Sequence, residues 1–317
     1  MDLELDGARA LQAAAETEAC RTHWAEHANR LHVFSLFQYA DLVVRRRPGC
    51  RLPDLLARLD DLSPYDRVWV SEGVGYSWGD TIDGPLPGCA TIPVHSGVAL
   101  SIAQRRLAST RGSVGADIVG DLIDCCAASA QPGCEYIAVE AIGLAVRNLH
   151  PRLTPMFDAA LADDVILNAC FWHGAGRGAY FATSNWQVTS ITLVLHNLRA
   201  MTGSAVGRTN AFAGLAWAVI LVNLFDPAVL ARYVAVLEGG SETAAFAEGV
   251  RTALIAWQHC SPGDDGIRQL LASRPPAAIA SASWDEAVRR PAEQALNQFP
   301  GVATAGRIGR LFYCEAA

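Results

Sequence analysis

The chain has 317 residues, a formal net charge of −7, 51% hydrophobic residues and only 18% charged ones. That balance excludes a disordered chain and implies a substantial buried core, in one large domain or two smaller ones. No basic run exceeds Arg45-Arg46-Arg47, which argues against a nucleic-acid partner. All 25 basic side chains are arginine, so lysine Schiff bases, P-loop lysines and Ser-Lys dyads are excluded.

The segment Met1 to Cys20 is acidic and Ala-rich and lacks the basic and apolar regions of a signal peptide. Residues 8–47 read as one or two helices, with apolar positions at three- and four-residue spacing, broken by Pro48 and Gly49. His23 and His27 have metalloprotease spacing, but Trp24 stands where that chemistry needs Glu, so a surface or capping role is expected. Leu52–Leu62 is an amphipathic segment closed by Ser63-Pro64, and Asp83 to Pro93 is a Pro/Gly-rich loop. A helix is expected from Ala116 to Ala130, ended by Gln131-Pro132-Gly133. Leu153–Ala162 and Val188–Met201 read as helices leading into longer small-residue helices. Asp226-Pro227 starts a helix to about Leu237, with Gly239-Gly240 as its stop. A helix ending near Cys260 precedes Ser261-Pro262-Gly263, and Ile267–Ser273 is a short helix. In the less periodic tail, Trp284–Gln298 looks helical and Pro300-Gly301 looks like a turn.

One short pattern recurs among these elements: Glu72-Gly73-Val74-Gly75, Ser96-Gly97-Val98-Ala99, Glu140-Ala141-Ile142-Gly143, His173-Gly174-Ala175-Gly176, Ala213-Gly214-Leu215-Ala216 and Glu248-Gly249-Val250-Arg251. Its first position steps by 24, 44, 33, 40 and 35 residues, which points to helical-hairpin repeats. The expected fold is all-α: residues 1–47 form N-terminal helices, 48–273 about six helical-hairpin repeats, and 274–317 a C-terminal tail, in one domain. The repeats would build a curved solenoid or a closed α/α toroid-like bundle. Glycine inside a helix costs about 0.5–1 kcal/mol relative to alanine, so close helix–helix approach or room for a ligand must offset it. Nine cysteines, none in a CxxC pair, suggest reduced thiols in a cytoplasmic protein. The longest apolar stretch, Ala211 to Phe225, is shorter than the roughly 20 residues a membrane span needs.

These segments carry a family resemblance. Trp69-Val70-Ser71-Glu72-Gly73-Val74-Gly75, His95-Ser96-Gly97-Val98-Ala99-Leu100 and Gly174-Ala175-Gly176-Arg177-Gly178-Ala179-Tyr180-Phe181 resemble successive motifs of a domain-of-unknown-function family encoded in enediyne polyketide and related bacterial biosynthetic gene clusters. The resemblance spans about residues 30–270. The chain departs from that pattern at Ala141 and at His173. The resemblance implies a role in specialised metabolism without implying a reaction.

Equivalent slots of stacked repeats tend to face one surface, so Glu72, Glu140, His173 and Glu248 are the candidate catalytic residues. Carboxyls in an apolar cavity with an imidazole beside them suit general acid–base chemistry. The plain alternative is ion pairing with Arg177, Arg251 or Arg147. Tyr76, Trp78, Asp80, His95, Arg177, Tyr180 and Trp217 are candidate substrate-binding residues, several of them one helical turn beyond the slots. Their plain alternative is core packing. Asp117, Asp121 and Asp124 share a helix face and form a weaker candidate for Mg2+, and Asp163-Asp164 with Asn168 is a second acidic cluster. Gly174-Ala175-Gly176-Arg177-Gly178 lacks the preceding strand of a dinucleotide site.

The leading expectation is a cofactor-independent acid–base cyclase, isomerase or dehydratase acting on a bulky apolar polyketide- or terpene-like intermediate. The alternatives are a non-catalytic helical-repeat scaffold for a carrier protein, partner enzyme or product, and a metal-dependent terpene cyclase. No membrane span is expected, and a homo-oligomer is compatible with any of these readings.

Overall fold

In the computed structural model, residues 2–82, 84–109, 116–182, 191–273, 279–304 and 307–314 are described. Asp2–Arg45 is one continuous helix, α1, rather than two. It ends before Pro48, and Gly49 takes the left-handed conformation, φ 81°. Helix α2 (Leu52–Ala57) is shorter than its apolar pattern suggested, and Leu59 and Leu62 lie in turns that follow it. Then come α3 (Pro64–Trp78), α4 (Ile92–Ser109), α5 (Ala116–Ser129), α6 (Glu135–Leu149), α7 (Thr154–Ala160) and α8 (Val165–Phe181). The C-terminal half adds α9 (Ile191–Met201), α10 (Ala205–Val222), α11 (Pro227–Val234), α12 (Gly240–Cys260), α13 (Gly266–Ala272), α14 (Ser281–Trp284) and α15 (Arg290–Thr304). No strand occurs among the described residues. The start of the expected Val188 helix, and Asp83 in the expected loop, lie outside the described residues.

The helix starts follow local chemistry. Ser63 caps α3 by accepting from the Asp66 amide, with Pro64 in the first turn. Asp164 caps α8 by accepting from the Ile166 and Leu167 amides, and Ser204 caps α10 through the Gly207 amide. Gly239, expected to stop a helix, instead leads into α12 with φ 80°. The expected turn at Pro300-Gly301 is wrong: Pro300 sits inside α15. Proline keeps a helical φ, so the packed helix runs through it at the cost of one N–H donor and of crowding against the carbonyl four residues before it.

The six small-residue helices α3, α4, α6, α8, α10 and α12 pack in that order, each on the next, with α1 against α3 and α15 against α12. The glycines explain how close they come. A methyl group on Gly97 would overlap the Glu72 carbonyl oxygen. One on Gly174 would overlap that of Glu140, one on Gly214 that of His173, and one on Gly249 that of Ala213. The carbonyl of each slot residue therefore lies against the glycine of the following helix in these four pairs. Backbone contact, not room for a ligand, accounts for these glycines. The α10 window Ala205–Val222 is apolar and long enough to cross a membrane by length and composition, and 78% of it is buried inside the protein.

Two further links matter for the site. On α1, Glu26 and Arg30 are buried. There the Tyr233 hydroxyl donates to Glu26 Oε1 at 2.7 Å, and Asn29 Nδ2 donates to Asn223 Oδ1 at 3.1 Å. The C-terminal segment is not a peripheral tail, since a short 3-10 turn at Ile308–Phe312 drives Phe312 into the core against His173 and Trp217.

Candidate functional site

Four consecutive slot residues converge. Glu72 on α3, Ser96 on α4, Glu140 on α6 and His173 on α8 are all buried, and so is Arg177, one turn beyond His173. Arg177 Nη2 donates to Glu72 Oε1 at 3.1 Å and to Ser96 Oγ at 2.8 Å. Ser96 Oγ donates in turn to Glu72 Oε1 at 2.8 Å. On its other edge Arg177 Nε lies 3.1 Å from Glu140 Oε1, an ion contact whose angle falls outside hydrogen-bond geometry. His173 Nδ1 is 3.5 Å from the same oxygen, and neither imidazole nitrogen has a hydrogen-bond partner among the described residues. The Trp217 ring covers the guanidinium, with Arg177 Cζ 5.4 Å from its centroid. One guanidinium thus bridges two carboxyls in the protein interior, where breaking such a pair is costly.

This cluster forms part of the floor of a cleft of about 680 Å³ between α1 and the helices α3, α4, α6 and α8. Glu72 and Arg177 reach it; Glu140 and His173 lie behind them, fully buried. Lining positions follow lines of four from the slots: Tyr76 beyond Glu72, Leu100 and Gln104 beyond Ser96, Leu144 and Asn148 beyond Glu140, and Phe181 beyond Arg177. Phe34, Phe37 and Trp69 contribute aromatic surface. The Tyr76 hydroxyl donates to Gln104 Oε1, and burial pushes its phenol up, so it stays a neutral donor. At the rim Asp41 accepts from Ser77 Oγ at 3.2 Å and pairs with Arg45 at 2.8 Å.

Comparison with family models, curated proteins and solved structures finds no match for this chain.

Other expected site residues lie elsewhere. Glu248 does not join the cluster. It pairs with Arg251, whose Nε donates to Glu248 Oε2 at 2.8 Å, in a separate cleft beside Arg307 and Arg310. The helical array turns its slot away from the other three. His95 is buried on a different side: Nδ1 donates to the Thr91 carbonyl at 2.9 Å, and Nε2 accepts from the Gln131 amide at 3.3 Å. Its burial, partly opposed by the Thr91 bond, holds its pKa below the ordinary value, and both nitrogens are satisfied. Tyr180 is fully buried and its hydroxyl accepts from Asn223 Nδ2 at 2.9 Å. Trp78 packs half-buried against the core outside the cleft, and exposed Asp80 pairs with Arg105 at 3.1 Å. Trp217 touches the cluster but does not line the cleft.

Asp117, Asp121 and Asp124 are exposed on α5, away from the cleft. Asp164 serves as a helix cap, and Asn168 bonds to Asp158 Oδ1 at 2.9 Å. Among the described residues no group of three or more His, Cys, Asp or Glu side chains is placed to hold a metal ion. His23 meets Arg232 and His32 meets Asp66, both pairings on the body of the protein. The cysteines are free thiols, with Cys126, Cys170 and Cys314 buried. Sequence reading missed Ser96 as a network member, and Gln104 and Asn148 as lining residues. The four-residue step from each slot, already applied at Tyr76 and Arg177, would have found all but Ser96, which occupies a slot itself.

Proposed function

We propose that the protein binds a bulky, largely apolar biosynthetic intermediate in the cleft beside α1 and performs acid–base chemistry on it through Glu72. The observation that carries this reading is a buried carboxyl at the floor of a largely apolar, aromatic-lined cleft of ligand size. Within it, Glu72 is the proton acceptor or donor, with the Ser96 hydroxyl on its Oε1. Arg177 cannot give up a proton, so it does not relay protons between Glu72 and the pair behind it. Glu140 and His173 are then positioning residues for Arg177, which narrows the four-residue catalytic expectation to one. The motif resemblance to the enediyne-cluster family supports specialised metabolism as the setting.

We read the row of small-residue helices as curving into a closed bundle rather than an open solenoid. The Tyr65 hydroxyl of α3 donates to the Val222 carbonyl at the end of α10 at 2.8 Å, which supports closure. So does the packing of the Tyr65 ring on Trp257 of α12.

Deleting the gene and profiling metabolites identifies the intermediate that accumulates. Complementation with Glu72→Gln is expected to restore product formation at least about 10²-fold less than the parent. Near-normal restoration by a folded Glu72→Gln protein would overturn the catalytic role. A second reading, non-catalytic holding of a product, is favoured by the fully buried Glu140 and His173 behind Arg177. It expects no lost chemical step in the deletion strain.

A further inference from the structure

We infer that the molecule bound in this cleft carries a protonated amine, seated with its N–H groups on Glu72 and Asn148 and its apolar body along the aromatic walls. This rests on the reading of the cleft as the binding site and names the chemistry of its occupant.

Three observations point the same way. Glu72 Oε1 takes both of the hydrogen bonds offered to this carboxyl, from Ser96 and Arg177, and Oε2 receives none from the described residues. Arg177 is divided between Glu72 and Glu140, so its guanidinium is not dedicated to the cleft carboxyl. Asn148 Oδ1, also on the cleft, is buried without a hydrogen-bond partner among the described residues. Two oxygens on the floor, Glu72 Oε2 and Asn148 Oδ1, therefore lack donors among the described residues, while Arg177 Nη2 is already hydrogen-bonded to Glu72 and Ser96 and its Nε is held in ion contact with Glu140. An entering carboxylate would face Glu72 and compete for an occupied guanidinium. An entering ammonium supplies the missing N–H groups, and the Phe34, Phe37, Trp69 and Phe181 faces suit a cation near them.

The test uses three probes of one chain length, decylamine, decanol and decanoate, titrated calorimetrically into the whole protein at neutral pH. The amine is expected to bind at least about tenfold more tightly than the alcohol, as a charge-assisted hydrogen bond on a buried carboxylate requires. The carboxylate is expected to bind most weakly. Glu72→Gln should bring the amine down to the level of the alcohol and leave the alcohol unchanged, whereas Asp80→Asn should alter neither. Equal binding of amine and alcohol, or tighter binding of decanoate, would overturn the cationic occupant while leaving the cleft a binding site. Failure of all three probes to bind would overturn both. The comparison of probes on the parent protein needs no variant, so a Glu72→Gln chain that does not fold leaves the inference open to refutation.

Discussion

Arg177 is the residue on which the centre of the molecule turns. Its side chain is buried between Glu72, Ser96, Glu140 and the Trp217 ring. Arg177→Met would leave two buried carboxyls without their cation, and breaking a buried pair in this way typically costs about 3–5 kcal/mol. Thermal or urea denaturation measures it; a loss below about 1 kcal/mol would show that the cluster does not depend on that charge. Arg177→Lys should recover only part of the loss, because one ammonium cannot reproduce the fork that bridges two helices. His95 sets a pH dependence. Burial lowers its pKa below the ordinary 6.5, as it also does for His23 and His259. The unfolded chain thus takes up protons that the folded chain refuses. Stability is full above about pH 6.5 and falls as the pH drops below it, levelling off beneath the folded-state pKa. Unfolding temperatures at pH 7.5 and 5.5, both about one unit from that value, are expected to differ less in His95→Gln than in the parent. An unchanged difference would assign the pH effect to other groups.

At the scale of the element, the glycines separate two roles that look alike in the sequence. Gly214→Ala places a methyl group on the His173 carbonyl oxygen, and Gly174→Ala does the same at Glu140. Neither carbonyl can move without its helix, so both variants are expected to lose several kcal/mol or fail to fold, although alanine is the better helix former. Gly120→Ala on the exposed face of α5 meets nothing within 4 Å and should stabilise by about 0.5–1 kcal/mol. Chemical denaturation of the three variants side by side checks the contrast; a Gly214→Ala protein as stable as the parent would contradict the packing. The recurring slot makes the inner helices legible, and the side chains of Glu72, Glu140 and His173 lie together around Arg177. Glu248 lies apart from them with Arg251, because periodicity reports a common place in the repeat but not the rotation of each helix about its axis. His95 and Tyr180 looked like site residues for the same reason: a polar atom on a helix does not announce that its partner is the Gln131 amide or Asn223.

For the whole molecule, links distant in sequence decide how it should behave. The Tyr65–Val222 hydrogen bond joins α3 to the end of α10, the Glu26–Tyr233 bond ties α1 to α11, and Phe312 packs on His173. An open array of independent hairpins would lose structure piecemeal. With these ties, near- and far-ultraviolet circular dichroism should report one coincident thermal transition. Separable transitions would contradict that integration. The all-helical class and most helix starts follow from sequence alone, because proline, cap residues and apolar spacing act within a few residues of one another. So does the small-residue pattern, since glycine is tolerated inside a helix only where something else requires it. Only the tertiary structure decided that those glycines serve backbone contact, that three of the four slot ionisable residues meet around Arg177, and that the chain's last segment belongs to the core. Those outcomes depend on helix rotation and on contacts between residues as far apart as Glu72 and Arg177, and no local pattern encodes either.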